Sequence, residues 1–70
     1  MIVAVGRTLN YQTELGERPG QWLQTIRQLV REVRAEDPRL TECELYDIGF
    51  RRRGDVVWLR FYFKHPTRHQ

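Results

Sequence analysis

The feature that most constrains this chain is a single amphipathic helix, predicted over residues 19–36. Its apolar positions follow the spacing of one helix face and are Trp22, Leu23, Ile26, Leu29, Val30 and Val33. Pro19 suits the first helical turn, and Asp37-Pro38 ends the helix because a residue that precedes proline is disfavoured in the α region. One such helix can cover only one face of a sheet.

The remaining apolar segments predict three strands. Residues 2–9 are rich in β-branched side chains and form the first strand, while residues 41–50 and 56–64 form a hairpin. The apolar residues of segment 10–18 recur at neither helical nor strand spacing, so this segment is predicted to be a loop. Residues 65–70 are predicted to be a flexible tail. The 70 residues are expected to form one small domain, because a chain of this length can bury only one thin core.

The order of these elements predicts an α+β fold of the β-α-β-β type. We expect a three-stranded, mostly antiparallel sheet with the helix on one face. The last strand is long and apolar, so it is placed in the centre, which gives the strand order 1-3-2.

A hairpin turn centred on Arg53-Gly54 would set the register of the last two strands. It pairs Phe50 with Val57 and Ile48 with Leu59, and it directs Tyr46 toward the helix. Leu45 is then expected on the opposite face.

That opposite face is the first candidate binding surface. Alternation along the last strand projects four side chains from it together: Trp58, Arg60, Tyr62 and Lys64. Aromatic rings interleaved with cations suit single-stranded nucleic acid, because bases stack on the rings while cations hold phosphates. The same residue types are enriched at protein interfaces, including those of homodimers. A third interpretation is that loop 10–18 folds across the face.

The triple arginine at the hairpin tip is the second candidate. Alternation sends Arg51 and Arg53 to one side and Arg52 to the other, where they could grip phosphates or an acidic protein patch, or remain solvated. Residues 51–70 carry six basic side chains against Asp55 alone, an excess of five positive charges in a chain whose net charge is +3. This asymmetry indicates either an anionic partner or a basic surface that keeps the protein in solution.

The helix carries a further set of cations on one side, at Arg27, Arg31 and Arg34. Their spacing of four and then three residues places them on a shared face. They form either a basic strip or an ordinary solvated surface.

No catalytic site is predicted. The chain contains no serine, so a Ser-His-Asp set is impossible. Glu42 and Glu44 are expected to share one strand face while Asp47 points to the other, which does not support a pair of catalytic carboxylates.

No metal or cofactor is expected either. Cys43 is the one cysteine, which excludes an intramolecular disulfide, and His65 and His69 are separated by a proline near the chain end. The apolar stretch 2–5 is far too short for a membrane span or a signal sequence, so we expect a cytoplasmic protein without membrane insertion.

The leading hypothesis is a small non-enzymatic binding protein that docks an acidic protein surface, or a second copy of itself, through the basic and aromatic hairpin. One alternative is a protein that binds single-stranded RNA or DNA on the sheet face. Another is a small-molecule or enzyme site that forms only at a dimer interface. The candidate partner-binding residues are Arg51, Arg52, Arg53, Trp58, Arg60, Tyr62 and Lys64.

Overall fold

The computed structural model describes residues 2–66 and contains three strands, one long helix and two short helical turns. The main elements in chain order are β1 (Ile2–Asn10), α1 (Pro19–Glu36), β2 (Glu44–Arg53) and β3 (Val56–Lys64). The strands form one antiparallel sheet in the order β1-β3-β2. This confirms the predicted α+β fold, its β-α-β-β order and the central position of the last strand.

The helix occupies the predicted range, whereas the segments that flank it are more ordered than expected. The predicted loop 10–18 contains a π-helical turn, Tyr11–Leu15, and Asn10 Oδ1 accepts the backbone N–H of Thr13 at 3.0 Å. Residues 41–43 were predicted to begin the hairpin. Instead, the 3-10 turn Pro38–Glu42 precedes β2.

Asp37 holds this second turn in place. Its Oδ1 accepts the backbone N–H of Arg39 at 3.0 Å, and its Oδ2 lies 2.6 Å from Arg39 Nη2. The hydrogen bonds from the Arg39 side chain lower the pKa of the Asp37 carboxyl below its ordinary value. Asp37 therefore stabilises the connection from α1 to β2 as an anion.

The hairpin turn consists of Gly54 and Asp55, one residue later than predicted. Gly54 has a φ of 61°, and no other residue of the turn has a positive φ, as in a type II′ turn. The register therefore differs from the prediction by two residues, and Phe50 pairs with Leu59 while Ile48 pairs with Phe61. Because a shift of two preserves alternation, these side chains keep their predicted faces.

A bulge between Leu45 and Asp47 reverses the faces of the two residues at the start of β2. Tyr46 was predicted to lie in the core, yet it is 57% exposed, and Lys64 Nζ lies 4.7 Å from its ring centroid. Leu45 was predicted on the opposite face, yet it pairs with the buried Phe63 on the helix side. Both predictions are wrong because they assumed that side chains alternate strictly between the two faces, whereas a bulge inserts one extra residue into the strand.

The core lies between α1 and the inner side of β1 and β3. Along β3, buried and more accessible side chains alternate, and the buried ones are Val57, Leu59, Phe61 and Phe63. Strand β1 adds Val3 and Leu9, whereas no residue of β2 is buried. The strand β2 is therefore a solvent-exposed edge strand of the sheet.

Arg34 closes the C-terminal end of α1 over the core. Its Nη1 donates to the carbonyl oxygens of Leu40 and Cys43, both at 2.9 Å, and its guanidinium carbon lies 5.2 Å from the ring centroid of Phe63. Arg27 and Arg31 are exposed. The three helix arginines therefore do not form one basic strip, since the guanidinium group of Arg34 binds two carbonyl oxygens and packs on Phe63.

Candidate functional site

The face of the sheet that points away from α1 is termed the open face here. Loop 10–18 does not cross it, because the loop packs on the helix side. Leu15 is fully buried in the core, and the indole Nε1 of Trp22 donates to the carbonyl oxygen of Gly16 at 2.6 Å. Thr25 Oγ1 likewise donates to the carbonyl oxygen of Glu14. The interpretation in which this loop covers the open face is therefore wrong.

The strand register arranges the side chains of the open face in rows across the sheet. The central row is Gly6, Arg60 and Gly49, so Arg60 has a glycine on each side. The row on one side of it consists of Thr8, Trp58 and Arg51. The row on the other side consists of Ala4, Tyr62 and Asp47. Because glycine has no side chain, the central row forms a depression between the rows that carry Trp58 and Tyr62.

This depression has a volume of about 530 Å³, and Trp58, Arg60 and Tyr62 line it from β3. Tyr62 leans toward β2, since a methyl group built on Gly49 would lie 3.7 Å from Tyr62 Cε2. Neither Gly6 nor Gly49 has a positive φ, so neither is required there by backbone conformation. Their effect on the open face is to leave space.

Four arginines line the depression. Arg7 is ion-paired with Glu36 on the helix side, and the other three, Arg51, Arg53 and Arg60, lie on the open face. All three are exposed, and within residues 2–66 none of their side chains forms a hydrogen bond or an ion pair. No Asp or Glu of the described chain lines the depression. Asp47, in the row next to Arg60, brings one carboxylate to this part of the open face, and its Oδ1 accepts the backbone N–H of Ile48.

Trp58 lies in the row adjacent to the central one, opposite Arg51 on β2 and Thr8 on β1. Its side chain is 43% exposed, whereas Val57 and Leu59 on either side of it along β3 are buried. The ring therefore offers apolar surface directly beside unpaired guanidinium groups.

The other predicted site residues lie apart from the depression. Lys64 is on the open face but pairs with Glu44 at the far end of the sheet, beside the ring of Tyr46. Arg52 is on the helix side, where its guanidinium carbon lies 3.5 Å from the ring centroid of Tyr11 and its Nε donates to the Gly54 carbonyl oxygen. Arg52 therefore stabilises the hairpin tip through these contacts and does not line the depression.

The residues that sequence reasoning missed are those that form the floor, Gly6 and Gly49. A glycine inside a strand indicates a close approach or a missing side chain, and this was the available signal. Their placement on both sides of Arg60 follows only from the pairing of β1 and β2 with β3.

Residues 2–66 contain no group of three or more His, Cys, Asp or Glu side chains that could hold a metal ion. Cys43 is buried, and its thiol lies 3.3 Å from the carbonyl oxygen of Arg39, whereas His69 and most of the predicted flexible tail 65–70 lie outside the described residues. In the same range, no helix is long and apolar enough to cross a membrane.

Comparison of the chain with protein-family models, with curated proteins and with solved structures gave no match. Within residues 2–66, the fold is a small α+β arrangement whose helices all lie on one side of the sheet.

Proposed function

We propose that this chain is a small non-enzymatic binding protein that docks an acidic segment of a partner protein on its open face. The observation that carries the proposal is the set of unpaired arginines around the depression, Arg51, Arg53 and Arg60, beside the exposed ring of Trp58. Guanidinium groups form forked, charge-assisted hydrogen bonds with carboxylates. A Trp ring beside them supplies the apolar anchor that protein interfaces commonly use.

The spacing of the site favours an extended partner segment. Side chains on one face of a strand recur about every 6.6 Å, which is twice the rise per residue. An extended peptide presents its own side chains at the same interval. Arg51 and Arg53 lie two residues apart on the open face of β2. A segment with an acidic residue at every second position would therefore place successive carboxylates beside these two arginines, with the aliphatic parts of its side chains near Trp58.

Single-stranded nucleic acid is the second candidate, because a half-exposed Trp next to arginines is also a stacking platform for bases. The two acidic side chains of the open face argue against it. Asp47 lies in the row next to Arg60, and Glu44 pairs with Lys64. A continuous run of phosphates along the face would pass these two carboxylates, whereas a short acidic peptide need not.

The test uses Trp58 as its own reporter. The chain has two Trp residues, so Trp22→Phe leaves Trp58 as the single source of indole fluorescence, and circular dichroism verifies that the variant is folded. The probes are a peptide that alternates Glu with Thr, the same peptide with Gln in place of Glu, and single-stranded oligothymidine. We expect the emission of Trp58 to change with the Glu peptide, to respond weakly to the Gln peptide, and to lose sensitivity as salt is added.

Each outcome of this titration has a defined meaning. If the folded variant shows no response to the Glu peptide at low salt, the proposal is wrong. A stronger response to oligothymidine than to the Glu peptide would replace it with the nucleic-acid function.

Charge reversal at the depression should weaken peptide binding while the fold is retained. The double variant Arg51→Glu/Arg53→Glu is expected to raise the Kd for the Glu peptide by roughly tenfold or more, because two attractive contacts become repulsive. The matched control is Arg27→Glu/Arg31→Glu, which makes the same change of net charge at exposed positions of α1. Equal loss in both variants would mean that net charge, and not the open face, governs binding.

A further inference from the structure

We propose that two copies of this chain pair through their β2 strands, antiparallel and edge to edge, to form a continuous six-stranded sheet. The pairing edge of β2 shares Arg51 with the docking surface of the proposed function, but the pairing does not depend on that function. The strand order leaves β2 with a neighbour on one side, and none of its ten residues is buried. A long strand edge of this kind is a template for pairing with another chain.

The backbone groups that would make the new hydrogen bonds can be located. The N–H of Ile48 donates to its neighbour's carboxylate, Asp47 Oδ1, at 2.8 Å. It therefore points outward from the sheet. Since the backbone direction alternates along a strand, the N–H and C=O groups of Phe50 also point outward. Ile48 and Phe50 are thus the residues through which a second copy would pair.

The charges of β2 are divided so that the strand is complementary to itself when antiparallel. Glu44 and Asp47 lie in its first half, and Arg51, Arg52 and Arg53 end it. A two-fold axis at Gly49 sets Asp47 of each copy opposite Arg51 of the other, on the open face. Parallel pairing in register would instead set like charges side by side, which destabilises a strand pair.

The same register also pairs apolar side chains on the helix side. It sets Ile48 of each copy opposite Phe50 of the other, so this contact occurs twice. Phe50 is 49% exposed although its ring lies 5.2 Å from that of Trp22, and Ile48 is half-buried. At the axis, Gly49 meets Gly49 of the second copy, so no side chains collide where the two backbones come closest.

The bulge at Leu45/Asp47 limits the length of this contact. Regular pairing covers only residues 47–51 of each copy. We therefore expect a dimer that dissociates when the protein is diluted. In the single chain, the carboxylate of Asp47 accepts the hydrogen bond from the backbone N–H of Ile48. Pairing exchanges that bond for a backbone hydrogen bond and releases the carboxylate to the facing arginine. Because the copies join in the plane of the sheet, Arg53, Arg60 and Trp58 stay accessible on both.

The test is a charge swap read by sedimentation equilibrium of the full chain over a wide range of concentrations. Asp47→Arg alone sets two arginines opposite each other, and Arg51→Asp alone sets two aspartates opposite each other. Each single variant is expected to weaken the dimer at least tenfold. The combined variant Asp47→Arg/Arg51→Asp should recover dimerisation to within a few-fold of the native chain, and Arg27→Asp serves as the control for net charge.

A native chain that is monomeric at every concentration, or a combined variant that does not recover, would overturn the inference. Hydrogen exchange provides a second readout that does not need any variant. The amides of Ile48 and Phe50 should become more protected as the concentration of the native chain rises, while the amide of Val3 should not change. A native chain that stays monomeric but whose Trp58 emission still responds to the Glu peptide would reject the pairing and leave the proposed docking function standing.

Discussion

Replacing Phe61 with alanine is expected to leave most of the protein unfolded at 25 °C. Phe61 has no solvent exposure, and on β3 it lies between Val5 of β1 and Ile48 of β2. Truncating a buried Phe costs roughly 3–5 kcal/mol through lost burial and the cavity left behind. A domain of this size typically has only about 3–5 kcal/mol of stability to lose. Circular dichroism at 25 °C and urea denaturation would measure the loss.

The matched control is Tyr62→Ala, the next residue along β3. Tyr62 is half-exposed on the open face, so its truncation should cost clearly less than that of Phe61. Cooperative unfolding of Phe61→Ala within about 1 kcal/mol of the native protein would contradict the placement of the core between α1 and β3.

Arg34→Ala should lower the free energy of unfolding by about 2–3 kcal/mol. The variant removes the donor for the carbonyl oxygens of Leu40 and Cys43 and the contact with the ring of Phe63. Both carbonyls belong to the segment that joins α1 to β2, so this segment should loosen. Urea denaturation gives the free energy, and amide exchange at Cys43 reports on the segment itself.

Two comparisons separate this role from a general effect of charge. Arg31→Ala, at an exposed position one turn earlier, should change stability by less than about 0.5 kcal/mol. Arg34→Lys keeps the charge but replaces the planar guanidinium fork with a single ammonium, so it should fall between the alanine variant and the native protein. Equal stability of Arg34→Ala and Arg31→Ala would show that the two carbonyl contacts contribute nothing.

Local periodicity was sufficient to predict α1 and the two faces of β3. The apolar stripe from Trp22 to Val33 and the alternation from Val57 to Phe63 each depend on neighbours a few residues away. The strand order also followed, because a long apolar strand is best buried in the centre of a sheet.

The register and the bulge could not be predicted in the same way. The turn is set by the positive φ at Gly54, which moves the pairing by two residues from the expected position. The bulge at Tyr46 is not visible as a break in the apolar pattern, so Tyr46 and Leu45 were assigned to the wrong faces. Both features depend on backbone geometry that the side-chain pattern does not report.

The candidate site was predictable in its residues but not in its shape. Trp58, Arg60 and Tyr62 follow from alternation along one strand. The depression needs Gly6 and Gly49 beside Arg60, and Gly6 is separated from Arg60 by most of the chain. Likewise, the helical spacing that groups Arg34 with Arg27 and Arg31 gives no sign that Arg34 reaches two carbonyl oxygens across the end of the helix.

The most direct test of the open face as a docking surface compares alanine at two adjacent positions of β3. Trp58 is 43% exposed on the open face, and Leu59 is 2% exposed in the core. Leu59→Ala should lower the free energy of unfolding by about 2–5 kcal/mol. Trp58→Ala should keep a thermal unfolding midpoint close to that of the native protein. Calorimetric titration should show that it raises the Kd for the Glu peptide by about tenfold or more. A Trp58→Ala protein that unfolds, or that binds the peptide as tightly as the native chain, would contradict the assignment of this face to partner binding.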